Sequence, residues 1–353
     1  MPNIAESLGP LAALRGVWMG EGFSQILLPI SKADGNLVQT RNELLQARGA
    51  GNQIPPPFRL KLNATEEILE FELPDKTTQS ATTYLGNNGN SVNIQLFGLK
   101  YVQNIEDPIL KKSLHHEPGL WLYAPSESDD IAYRQGLIPH GNTLLVRGKI
   151  SHFSGEELSI PDANSFATPA LGSIEEVMAV LSDAAVNAWL PGGVAFPTND
   201  PALLEKEKEH VYLPLDKENT FPTSDSFPKK IKDDWENQER NTLLSIIKNP
   251  NLLLKYHQEK LKEEGKTITK FTRVDFNSAK ISNIPFLRKN AAAADMTPPF
   301  FSATFWLETV HDTTSNTDHL YLQYAQSSPL TFSGFTWPHL TVATLRHSGP
   351  GTR

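Results

Sequence analysis

Cysteine is absent from this 353-residue chain, which excludes disulfides, thiolate metal sites, iron–sulfur clusters and a cysteine nucleophile. Any metal must be held by His, Asp or Glu. Positive charge is also scarce: the net charge is −8, and no Lys/Arg cluster forms the concentrated basic face that nucleic-acid binding requires. No apolar run is long enough to cross a bilayer as a helix. Met1 to Leu14 lacks the basic n-region and continuous apolar core of a signal peptide, so the expectation is a soluble, cytoplasmic protein. Equally missing are a Gly-x-Ser-x-Gly elbow, a Gly-x-x-x-x-Gly-Lys-Ser/Thr loop, a Gly-x-Gly-x-x-Gly turn after a strand and a His-Glu-x-x-His helix. No repeat of solenoid length is visible.

What is present is alternation. Phe58 to Thr65 and Ile68 to Leu73 alternate apolar and polar residues with period two, as half-buried strands do. An Asn-Asn-Gly-Asn turn at 87–90 precedes a further strand over Val92 to Leu99. Similar segments follow at Gly119 to Tyr123, Ile131 to Ile138 and Thr143 to Gly148, and again at Thr267 to Val274, Phe300 to Val310 and Leu320 to Gln326. The last segment, Trp337 to Leu345, reads as a closing strand. Short strands joined by turns, without helices between them, predict an antiparallel meander, and hence a barrel or sandwich. At the other end, Pro10, Leu11 and Leu14 predict a helical turn that plugs the barrel. Gly16, Gly20 and Gly22 then bend the first strand.

The meander is interrupted over roughly 155–270. Ser173-Ile174-Glu175-Glu176 is a capping box opening a helix to about Ala188, and Pro191-Gly192-Gly193 stops it. Residues 194–232 are rich in Pro and charge. A helix capped at Asp233-Asp234 carries Trp235 to Ile247, and Asn249-Pro250 starts another that runs to Gly265. The expected organisation is one mainly β domain over 1–353, with 155–270 as a largely helical insertion.

Candidate chemistry rests on ten histidines. His210, His257, His311, His319 and His347 stand in polar loops, on a helix surface or in the tail, where a solvated ring is expected. His152 follows a strand and carries no other cue. His140, in Pro139-His140-Gly141, reads as a turn residue. His115, in His115-His116-Glu117-Pro118-Gly119, and His339, after Pro338, stand at strand starts, which in a closed meander gather at the rims. From the residues alone, each is either a packed, hydrogen-bonded histidine or a ligand. Paired carboxylates cannot be picked out of 40 acidic residues without geometry.

Three strings, in this chain order, carry a resemblance. Pro10 to Gly22 resembles the Pro-Leu-x-x-Leu-x-Gly-x-Trp-x-Gly-x-Gly opening of the nitrobindins, His115 to Gly119 is similar to their His-x-Glu-x-Gly, and Pro338-His339-Leu340 to their closing Pro-His-Leu. Ile138 to Gly141, Ala303 to Val310 and Trp337 to Leu345 look like a longer group of haem-binding barrels. The resemblance implies an antiparallel, calycin-like (nitrobindin-like) β-barrel related to fatty-acid-binding proteins. It further implies a ferric haem b in the barrel mouth. His339 would be the proximal iron ligand, His115 would lie on or near the other haem face, and Trp18 would belong to the cofactor-binding set by helping to close the barrel. Nitric oxide, peroxynitrite or peroxide would be the small partners, with peroxynitrite isomerisation as the implied activity. The chain is about twice the length of a small nitrobindin, and the helical insertion has no counterpart there. Two other readings stand beside it: a lipocalin-like carrier of an apolar molecule without haem, and a haem-dependent enzyme with an organic substrate under the insertion.

Overall fold

The computed structural model describes residues 7–29, 58–74, 80–85, 91–125, 130–138, 142–155, 157–163, 168–169, 211–212, 228, 245–247, 249–278, 284–285, 301–328, 330–332 and 335–349. Ten strands build a barrel. They are β1 (Gly16–Pro29), β2 (Phe58–Glu72), β3 (Ser91–Asp107), β4 (Lys112–Ala124), β5 (Ile131–Ile138), β6 (Asn142–Ser154), β7 (Lys266–Asn277), β8 (Ser302–Asp312), β9 (Thr317–Ser327) and β10 (His339–His347). Each pairs antiparallel with the next. β10 returns to β1 from Trp18↔His347 to Ile26↔His339, so the up-and-down meander closes on itself and the barrel strands leave no open edge.

Alternation decides what fills the barrel. Trp18, Leu69, Phe71, Leu99, Trp121, Val146, Phe276, Phe305 and Leu345 share one buried core. At its centre Trp121 meets Phe71, Phe276, Phe305 and Tyr101 edge-on, at centroid distances of 5.4, 4.9, 4.8 and 6.4 Å. The plug forms as expected: a 3-10 turn, Gly9–Leu14, buries Leu11 and Leu14 in the end of the barrel where β1 begins. Trp18 Nε1 donates to Leu14 O at 2.7 Å and fastens it.

Among the segment boundaries that differ from the sequence expectation, three bear on the architecture. β2 is continuous through Glu66-Glu67, where the hydrophobic alternation pauses, because the barrel interior accepts a carboxyl at Glu67. Trp337 is not part of the closing strand. Phe335–Trp337 pairs with Leu330–Phe332 instead, and Pro338, which has no N–H to donate, separates it from β10. The third is the end of the insertion, since residues 266–270 already belong to β7. The Asn87–Asn90 turn, the Ser173 helix and most of the Asp233 helix lie outside the described residues, where only Ser245–Ile247 of the last is present, as a helical turn.

Within the insertion, Val211–Tyr212 pairs with Leu60–Lys61 of β2, while a helix packs on the outside of the barrel. Helix α1 (Leu252–Glu263) stops at Gly265, whose φ of +72° suits glycine, and lays Leu254, His257 and Leu261 against the wall. Leu261 packs with Val310 and Tyr321, and Gln323 Nε2 donates to Leu254 O at 3.2 Å. Residues 157–163 run beside α1, tied by Lys255 to Asp162 and by Asn251 Nδ2 to Pro161 O. No helix among the described residues is long and apolar enough to cross a membrane.

This outer wall contains an energetic anomaly. Glu308, directly opposite Tyr321, is 0% exposed, and neither carboxyl oxygen has a hydrogen-bond partner. Burial alone pushes its pKa well above the usual carboxyl range, which favours the neutral acid. An unsatisfied buried polar group costs on the order of 1–3 kcal/mol, and leucine has similar volume. Glu308→Leu is therefore expected to raise stability by about 1–3 kcal/mol. A lower urea midpoint in the variant would show that the carboxyl is compensated.

Candidate functional site at the barrel mouth

β1 runs from the plugged floor at Gly16 to the opposite end, the mouth, at Pro29. His339 opens β10 opposite Ile26, on the inward face shared with Thr341, Ala343 and Leu345. His115 lies just past the β3–β4 hairpin opposite Ile105, on the inward face shared with Glu117 and Trp121. Both sequence-predicted histidines therefore belong to the mouth. Around the ring their strands are four steps apart one way and six the other, so they stand on nearly opposing walls. Trp18 does not join them. It is 0% exposed at the floor and seals the plug, with His347 against its ring at 4.8 Å.

Two other histidines depart from the solvated state expected of them. His347 Nε2 donates to Arg15 O at 2.9 Å. His257 is buried beneath α1, 5.1 Å from the Tyr321 ring. His152 lies within β6 rather than after a strand, its Nδ1 3.0 Å from Thr272 Oγ1. His140 and His210 are outside the described residues.

Below the mouth, inward side chains form a polar belt that the sequence reading did not single out. Arg134 is its centre. The guanidinium, 1% exposed, donates to Glu117 Oε1 at 2.8 Å, Tyr101 OH at 3.1 Å, Gln326 Oε1 at 3.0 Å and Gln103 Oε1 at 3.4 Å. His115 Nε2 donates to the other oxygen of Glu117 at 3.0 Å, and Tyr101 OH donates to Oε1. Burial pushes Glu117 upward, but the charge of Arg134 and the His115 bond outweigh it and hold the carboxyl down at about 2. Glu117 is thus an ionised anchor that orients the His115 ring, as carboxylates do behind ligand histidines.

The second belt carboxyl is in the opposite state. Glu67 accepts from Tyr324 OH at 2.5 Å, Gln103 Nε2 at 3.3 Å and Thr65 Oγ1 at 3.1 Å, all neutral donors. Burial outweighs these bonds and the nearby His115, raising its pKa to about 6. A signal for Glu67 existed in the sequence, since it sits at an inward position of an alternating strand, but it read as a break between two strands. Arg134 likewise occupies an inward slot between Ala132 and Gly136. Gly136 is required there, because a Cβ would meet Glu117 Oε1 and Tyr101 OH, each at 2.4 Å.

No family model matches this chain, and no curated protein does. Among solved structures, the chain is similar to the crystal structure of Rv2717c from M. tuberculosis. The identity is 10%, covering 97% of this chain and 99% of that one, with a TM-score of 0.35. That likeness is too low to argue from, and the barrel rests on its strand pairing.

The donors that the two facing walls bring to the mouth are the imidazoles of His339 and His115. Among the described residues, no group of three or more His, Asp or Glu side chains could hold a metal. A haem needs only an axial imidazole and apolar faces. His339 and His115 each have an isoleucine as direct cross-strand neighbour, and Phe301 is buried in the same interior.

Proposed function

We propose that the mouth binds haem b, with His339 as the proximal iron ligand and His115 on the other haem face. The observation that carries this reading is the pair of inward histidines at one end of the barrel on nearly opposing walls. When bound, ferric haem supplies an open coordination position for nitric oxide, peroxynitrite or peroxide. The chain's own part is to orient and to exclude water. Glu117, held by Arg134, fixes the His115 ring through Nε2. The apolar interior around Trp121 closes the pocket from below. This polar belt also weighs against a metal-free carrier of apolar cargo, since such a pocket gains nothing from a buried ion pair at its base.

Hemin titration is the test. Wild type is expected to develop a Soret band at one equivalent, His339→Ala to bind at least tenfold more weakly with a shifted band, and His115→Ala to retain the band with altered ligand binding. No band in wild type removes the haem reading. An unchanged band in His339→Ala removes the ligand assignment.

A further inference from the structure

Glu67 is built into the wall below the mouth at a cost the barrel did not need to bear, since an apolar residue there would join the core beside Leu69. The chain makes room for it. At Gly22, across from Thr65, a Cβ would lie 2.7 Å from Glu67 Oε1 and 2.6 Å from Thr65 Oγ1. Thr65 is the next inward residue of β2 on the way to the mouth, and its hydroxyl touches Glu67 Oε1. The groups that bond or face this carboxyl come from several strands. β9 presents Tyr324, β3 Gln103, β4 His115 and β1 only glycines, while Arg134 and Tyr101 are already committed to Glu117.

We propose that Glu67 is the proton store of the mouth and Thr65 its outlet, so that the site takes up small anions together with one proton. The acid form of Glu67 gives its carboxyl proton to Thr65 Oγ1 as the Thr65 hydroxyl proton passes to the anion. One O–H bond breaks at Glu67 and one bond to hydrogen forms on the anion. Thr65 ends as a neutral hydroxyl carrying the proton it received from Glu67, now donated back to Glu67 Oε1. The new carboxylate is held by Tyr324, Gln103 and Thr65. The place of the anion rests on the haem reading; the proton store does not.

Two measurements keep these apart. In hemin-free full-length protein, the infrared spectrum is expected to show a protonated-carboxyl C=O stretch that titrates near pH 6. It should vanish in Glu67→Gln and shift to a higher midpoint in Tyr324→Phe, which loses a bond to the carboxylate form. Glu308, whose burial also favours the acid form, contributes a separate band that is assigned by Glu308→Gln. A hemin-free protein with no titrating band overturns the proton store, whatever hemin does. With hemin-loaded protein and fluoride as probe, affinity in wild type is expected to be flat below pH 6 and to fall about tenfold per pH unit above it. Glu67→Gln should bind fluoride weakly with little pH dependence, and Thr65→Val should keep the infrared band but lose the coupling. A pH profile unchanged in Glu67→Gln overturns the delivery role. Failure to load hemin counts against the haem reading alone and leaves the infrared result to decide.

Discussion

Arg134→Met is expected to cost about 3–5 kcal/mol, because it strands the Glu117 carboxylate in the barrel interior without its cation. The guanidinium also lies 5.5 Å over the rings of Tyr101 and Phe305, so methionine replaces its volume but not its bonds. Urea unfolding at neutral pH measures the loss. The double variant Arg134→Met, Glu117→Leu is expected to recover most of it, since removing both partners of a buried pair is often nearly neutral. Equal instability of the single and double variants would mean that Arg134 acts through its other contacts. The pH dependence of stability gives the sign. Glu117 titrates at about 2 when folded against 4.5 unfolded, so its stabilisation, about 3 kcal/mol, is complete above pH 4.5 and lost as pH falls toward 2. Glu67 works the other way. Raised to about 6, it is fully compatible with the fold below pH 4.5 and costs about 2 kcal/mol as pH rises through 6. Between them these two carboxyls place the stability maximum near pH 4.5, and Arg134→Met should flatten its acid side.

How much of this could be read from the sequence follows from which interactions are local. Strand alternation predicted the meander and α1 ended at Gly265 as expected, because pleat period and helix-stop chemistry are written within a few residues. Pro10, Leu11 and Leu14 likewise predicted the plug. The mouth was half legible: His115 and His339 stood out as histidines at strand starts, and their shared end follows from closure. The belt was not legible. Arg134 and Gln326 are 192 residues apart, and Glu67 and Tyr324 are 257 apart. Alternation alone puts Glu67 inward and its neighbour Glu66 outward, where Glu66 reaches Lys111 at the surface, but the partners that let a carboxyl sit inside come from distant strands. The same limit hid Glu308, which lies at an outward position of β8, opposite Tyr321, yet is 0% exposed.

Trp121→Ala is expected to cost about 3–5 kcal/mol, the range for deleting a large aromatic side chain from a packed core. The position carries more than area. Trp121 stands directly opposite Arg134 on β5 and opposite Leu99 on β3, and its ring supports Tyr101, whose hydroxyl is part of the belt. Deleting it leaves a cavity bounded by Phe71, Phe276 and Phe305, an apolar space that stays dry and can accept a small aromatic molecule. Indole is therefore expected to raise the Tm of Trp121→Ala in a concentration-dependent way and to leave wild type unchanged. The contrast with Trp18 separates the two layers. Trp18→Ala removes a ring and a bond to the plug at the closed end, so it should lower stability without moving the titration of Glu67. Trp121→Ala loosens Tyr101 and Arg134 and, through Gln103, the setting of Glu67, so it should move that titration. A stability loss below about 1 kcal/mol, or an unmoved Glu67, would mean that the apolar core and the polar belt are independent layers rather than one packed interior.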